Sequence, residues 1–223
     1  KNTGSGFAQN PTNWTLPYIF VDEQFDRLAD TNSNECGGLD GEISYSVFDI
    51  TGDGQPDLVL TDRCDGGGVG TTRWDVHENT GSGFAAEPTT WTLPYIFVDE
   101  QFDRLADTNS NECGGMAGEF SYSVFDITGD GLPDLVLTDR CDGGGVGTVR
   151  WDVHKNTGSG FAAEPTTWTL PYIFVDEQFD RVADTNSNEC GGQSGEFSYS
   201  VFDIDGDALP DLVLTDRCDG GGV

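Results

Sequence analysis

The sequence predicts an all-β protein made of tandem four-stranded antiparallel sheets. Three observations carry that prediction: a repeat of fixed length, strand-type alternation inside it, and Gly-rich turns between the alternating stretches. The repeat comes first. Asp49-Ile-Thr-Gly-Asp-Gly recurs as Asp126-Ile-Thr-Gly-Asp-Gly and again as Asp203-Ile-Asp-Gly-Asp-Ala, each step being 77 residues. Self-similarity at one period makes the repeat the unit of structure, in place of a domain of average length. The copies span residues 1–77, 78–154 and 155–223, and the third lacks its last strand.

Within one copy the alternation is plain. Glu42-Ile-Ser-Tyr-Ser-Val-Phe places Ile43, Tyr45 and Val47 on one face, which is strand periodicity. Asp57-Leu-Val-Leu-Thr is a short apolar run suited to a strand buried on both faces. Thr72-Arg-Trp-Asp-Val-His alternates again, with Trp74 and Val76 sharing a face, and Trp91-Thr-Leu reads as a fourth strand stopped by Pro94. The turns are the Asp/Gly loop at residues 49–54, Cys64-Asp-Gly-Gly-Gly and Asn79-Thr-Gly-Ser-Gly. Residues 95–118 fit either a helical turn or an irregular strand between Asp99 and Asp107, and a long surface excursion is expected there. Sheets of four strands repeated at a fixed period are the signature of β-propeller-type blades or of a β-solenoid.

The chain carries 40 acidic and 10 basic residues, a net charge of −30. Nucleic acid is excluded as a partner, because phosphate binding needs clustered Lys and Arg. An anionic membrane surface would repel the chain, and no apolar run approaches the length of a membrane span. A cation is the natural partner. The aromatic content of 11% in repeated positions argues against disorder. Cysteines occur as one pair per copy, Cys36/Cys64, Cys113/Cys141 and Cys190/Cys218, always 28 residues apart. A disulfide within each copy is expected, formed in an oxidising, extracellular compartment and worth roughly 3–4 kcal/mol. A link between neighbouring copies, such as Cys64 to Cys113, stays open, and a zinc site lacks ligands.

The loop beginning at Asp49 has oxygen side chains at its first, third, fifth and ninth positions: Asp49, Thr51, Asp53 and Asp57. Gln55 would add a backbone carbonyl at the seventh. Calcium takes six to eight hard oxygens, and a tight loop with ligands at alternating positions supplies them. Gly54 offers the positive φ that wraps the chain around an ion. An EF-hand would need Glu at position 12 and flanking helices, and has neither here.

The run Val47-Phe-Asp-Ile-Thr-Gly-Asp-Gly-Gln-Pro-Asp-Leu-Val-Leu, followed by Trp74-Asp-Val-His-Glu-Asn-Thr-Gly-Ser-Gly-Phe, resembles the FG-GAP/VCBS repeat family over about half of each copy. That family includes integrin α-subunit propeller blades and secreted bacterial and fungal propellers. The resemblance implies calcium at the same ligands and at their equivalents: Asp126, Thr128, Asp130, Leu132 (carbonyl) and Asp134, then Asp203, Asp205, Asp207, Leu209 (carbonyl) and Asp211. The third loop gains a carboxylate at Asp205 but has Ala208 in place of Gly. The Cys-bearing insertion departs from the short family pattern.

Other candidates are weaker. Asp30, Asn32 and Asn34, with Asp107, Asn109, Asn111 and Asp184, Asn186, Asn188, alternate oxygen side chains and form a possible second metal site or an Asx-rich turn. Trp14, Trp74, Trp91, Trp151 and Trp168 could stack on sugars, but aromatics at strand alternation are ordinarily core. His77 and His154 are expected on a solvated strand face. Asn13-Trp-Thr15 is a formal glycosylation sequon. Carboxylate pairs bring a glycosidase to mind. An active site is normally singular, though, whereas every acidic cluster here is repeated, so no enzyme is expected. The sequence leads to an extracellular, calcium-stabilised structural or adhesive repeat protein, with a carbohydrate-binding module as the alternative. The third copy lacks an equivalent of Gly147-Thr-Val-Arg-Trp-Asp-Val-His. A longer array, or a head-to-tail and extended assembly with further copies, is therefore expected.

Overall fold

In the computed structural model, described for residues 3–18, 28–30, 43–63, 67–96, 102, 105–107, 120–140, 144–172, 179, 182–184 and 197–217, the chain is all-β, with no helix among the described residues. The first sheet contains β1 (Ala29–Asp30), β2 (Ile43–Phe48), β3 (Asp57–Arg63), β4 (Arg73–His77) and β5 (Thr89–Thr92), paired antiparallel in that order. The second repeats it with β6 (Ala106–Asp107), β7 (Phe120–Phe125), β8 (Asp134–Arg140), β9 (Arg150–His154) and β10 (Thr166–Thr169). The third contains β11 (Ala183–Asp184), β12 (Phe197–Phe202) and β13 (Asp211–Arg217). The four strands anticipated per sheet are all present in the first two, and a two-residue edge strand joins each sheet. The last strand of each complete sheet lies beyond the point where the next copy is counted to begin, so the sheets are offset in phase from the repeats.

β2 and β4 form because apolar and polar residues alternate along them, β3 because its short apolar run is buried on both faces, and each main strand pairs antiparallel with the next along the chain. In β2 and β3, Tyr45 pairs with Leu60 and Val47 with Leu58, so these four share a face. A bulge between Ser44 and Tyr45 recurs at Ser121/Tyr122 and Ser198/Tyr199, adding local twist at the same place in every sheet. The apolar run Leu58-Val59-Leu60 is buried on both faces, as its composition anticipates.

The core lies between sheets. Val59, Trp74, Val76, Trp91 and Leu93 of the first sheet cluster with Phe120, Tyr122, Leu135 and Leu137 of the second. Val136, Trp151, Val153 and Leu170 of the second cluster with Tyr199 of the third, with Leu212 and Leu214 packed against them. Successive sheets therefore stack face to face like propeller blades. Trp74 meets Phe161 edge-on at 5.6 Å between centroids, and its Nε1–H donates to the Phe102 carbonyl at 2.7 Å. Trp151 makes the same bond to Phe179.

Two expectations change here. The excursion after β5 is not wholly at the surface. Phe102 is buried against Phe120 and Tyr122, and its N–H donates to the Gly70 carbonyl. A lone aromatic in an acidic stretch carries no periodicity that would reveal this. His77 and His154 are buried, not solvated. The turn after each strand folds back, and Nδ1 donates to the Ala85 or Ala162 carbonyl at 2.7 and 2.8 Å.

The three expected disulfides find no counterpart among the described residues. Cys36 and Cys64, Cys113 and Cys141, and Cys190 and Cys218 all lie outside them. Cys141 directly follows Arg140, the last residue of β8, and Cys218 directly follows Arg217, the last residue of β13.

Replacing Trp74 by Ala should destabilise the protein by about 3–5 kcal/mol, because it opens a cavity between two sheets and orphans the Phe102 carbonyl. Urea unfolding monitored by far-ultraviolet dichroism reads this directly. The histidines add a pH dependence. Burial, the largest influence, holds both rings below the ordinary imidazole range, against the pull of the Ala carbonyl and of Asp75 or Asp152. The native state thus prefers the neutral ring. That contribution is complete above the unfolded value of about 6.5 and is lost as pH falls from there through the lower folded value. Stability should decline below about pH 6.5, and the His77→Gln/His154→Gln double variant should decline less over the same interval.

Candidate metal centre

Each Asp loop is the hairpin connection between the two central strands of its sheet. Phe48 and Asp57 are a register pair, and residues 49–56 are the loop between them. The Asp49 carboxylate caps the turn from inside, accepting the N–H groups of Gly52 (2.7 Å), Asp53 (3.1 Å) and Gly54 (2.8 Å). Asp53 accepts the Gln55 N–H at 2.7 Å. Thr51 donates its hydroxyl to Asp57 at 3.0 Å, which brings the third and ninth positions together. Gly54 has φ 84°, as its role requires. Asp126 repeats these contacts with Gly129, Asp130 and Gly131, and Asp203 repeats them with Gly206, Asp207 and Ala208.

In the first two loops the ninth-position carboxylates, Asp57 and Asp134, are the buried members, and Asp211 in the third is half-buried. Asp57 also accepts the Asn79 N–H at 2.9 Å, and Asp134 the Asn156 N–H at the same distance. Burial pushes both carboxyls above the usual range, the hydrogen bonds from Asn79 or Asn156 and from the loop threonine act against it, and the charge of Asp53 or Asp130 adds to the rise. The basic side chains offer these groups no relief. Arg63 and Arg73 hold the buried Asp75, and Arg140 and Arg150 hold Asp152. Among the described residues, the loop aspartates enter no ion pair.

The donor set fits a hard cation. Asp203, Asp205 and Asp211 present carboxylate oxygens within 4.8 Å of one another. A divalent ion there would offset the mutual repulsion of these carboxylates, and each oxygen engaged by an N–H keeps lone pairs for coordination. In the first two loops Thr51 and Thr128 stand where Asp205 does, so the third-position donor is a hydroxyl. The seventh-position residues do more than offer a carbonyl. The Leu132 side chain lies against Gly52, and Leu209 against Gly129, so close that a Cβ on either glycine would collide with it. The loops of successive sheets are stacked on one another.

The clamp from Asn79 to Asp57 could not be foreseen, because the two residues are joined only by the fold. Its sequence trace is the Asn-Thr-Gly-Ser-Gly turn that begins 22 residues after the ninth-position Asp of the first and second loops. For the possible second site, Asp30, Asp107 and Asp184 end the edge strands β1, β6 and β11. Asn32, Asn34, Asn109, Asn111, Asn186 and Asn188 lie outside the described residues. Trp74, Trp91 and Trp151 are buried, which removes them from any sugar-stacking surface, and Trp168 packs against the second core cluster.

Ala208 has φ 70°, a left-handed conformation that costs a residue with a Cβ about 1–2 kcal/mol. Ala208→Gly should therefore raise stability by about 1 kcal/mol. Gly54→Ala, where nothing crowds a new Cβ, should lower it by a similar amount. Chemical denaturation of the two variants beside the parent measures both.

No family model matches the sequence, and no curated protein matches it. A chain in the structure of the Photorhabdus luminescens Tc holotoxin pore is similar over 80% of this protein, at 21% identity and a TM-score of 0.43. This protein spans 6% of that chain.

Proposed function

We propose that this chain is an extracellular structural or adhesive repeat protein whose stacked sheets are stabilised by one Ca²⁺ in each Asp loop. The observation that carries this reading is the convergence of Asp203, Asp205 and Asp211 within 4.8 Å, on a turn whose equivalents keep the same hydrogen bonds in the other two sheets. Each loop sits at a sheet-to-sheet contact, so an ion bound there tightens the stack as well as the hairpin. The reading includes no catalytic role. Its acidic clusters are copies of one another, and each is tied to the fold by backbone hydrogen bonds. The repeated cysteine pairs support an oxidising, extracellular location, and the excess of carboxylates supports cationic partners over nucleic acid or membrane. Adjoining repeats or further copies of the chain are the partners this architecture suits.

Calcium should raise the thermal midpoint relative to chelator, because a ligand bound only by the native state stabilises by mass action, about 2.7 kcal/mol per site at a hundredfold excess over Kd. Calorimetric titration should find three ions per chain, and Asp53→Ala should remove the one in the first loop. Coincident melting curves with chelator and with millimolar Ca²⁺ would refute the metal reading.

A further inference from the structure

The face of the first sheet that points away from the second bears an apolar groove of about 400 Å³, lined by Trp14, Leu16, Tyr45, Leu58, Asn79 and Phe84 among others. The same face of the second sheet shows what such a groove is shaped to hold. There, Trp91 and Leu93 stand where Trp14 and Leu16 stand on the first sheet, one repeat period apart. Trp91 is 1% exposed and Leu93 5%, whereas Trp14 is 42% exposed and Leu16 45%. The difference is a strand. Trp91 pairs in register with Trp74 of β4, and the Trp74 and Val76 side chains lie in the cluster beside Phe161, the equivalent of Phe84.

The backbone matches as well. Thr15 forms a parallel bridge with Gly83, and its carbonyl accepts the Phe84 N–H at 2.9 Å. Thr92 does the same with Gly160 and Phe161. Residues 12–15 therefore lie on the first sheet as β5 lies on the second. No antiparallel partner strand borders them among the described residues.

We propose that this groove is a docking site for a β-strand that bears Trp and Val at alternate positions and pairs antiparallel with residues 12–15. Its Trp would sit opposite Trp14 and against Phe84, and its Val would lie over Leu58. This is strand addition: main-chain hydrogen bonds give affinity, and pockets for alternate side chains give specificity. The groove is lined by none of the Asp-loop carboxylates.

The probe is a fluorescent peptide with the sequence of residues 147–154, Gly-Thr-Val-Arg-Trp-Asp-Val-His, titrated with the full chain and followed by anisotropy. Saturable one-to-one binding is expected. A peptide with Ala for its Trp, and a Leu16→Asp chain, should each weaken binding about tenfold or more. Leu16 is exposed, so this variant should melt like the parent. Three results would overturn the proposal: no binding to a folded chain, binding indifferent to Leu16→Asp (which would place the peptide elsewhere, such as the outer edge of β13), or self-association of the chain that the peptide does not compete with.

Discussion

The structure depends on one burial: the apolar back of each sheet against the front of the next. On one face of the first sheet Trp74, Val76 and Val59 are covered by Phe120, Tyr122, Leu135 and Leu137 of the next, while on its other face Ile43, Tyr45, Leu58, Leu60 and Val69 form a smaller buried cluster. Trp74 is the centre of that contact. It combines a large apolar area, an edge-on ring contact and a buried hydrogen bond, and the bond recruits Phe102 from an otherwise acidic stretch. Repeats that cannot bury a hydrophobic face alone gain stability only by stacking.

Charge is distributed by the same logic. A chain with four acidic residues for each basic one would be expected to use its arginines to neutralise the surface. Instead, four of them hold Asp75 and Asp152, which lie buried on the strands that carry the tryptophans. An unpaired buried carboxylate is costly, and the arginines offset that cost at Asp75 and Asp152, while Asp57 and Asp134 are buried at least as deeply. Among the described residues, the loop aspartates accept hydrogen bonds from backbone N–H groups and from neutral side chains such as Thr51 and Gln55, and from no arginine. That arrangement organises the oxygens without neutralising them, and a divalent cation has the opposite charge and the preference for oxygen that they lack.

The three loops are not equivalent, despite near-identical sequences. The third has an extra carboxylate and a strained alanine, so ligand charge is raised while the backbone conformation is penalised. The seventh position also varies. Leu132 and Leu209 pack onto the glycine of the preceding loop, while Gln55, in the first loop, bonds the Asp53 carboxylate instead.

The sequence by itself determined the period, the four main strands, the turns and the position of the Asp loops, because these depend on residues near one another along the chain. Alternation of Ile43, Tyr45 and Val47 specifies a strand face whatever covers it, and the glycine at position 54 specifies a positive φ whatever binds there. Only the tertiary structure decided which faces meet. The burial of His77, the recruitment of Phe102, the clamp from Asn79 to Asp57 and the exposure of Trp14 beside a buried Trp91 all depend on groups brought together by folding. Trp14 and Trp91 occupy the same repeat position, and their local sequences differ little. What separates them is the neighbouring strand, and burial is a property of neighbours in space.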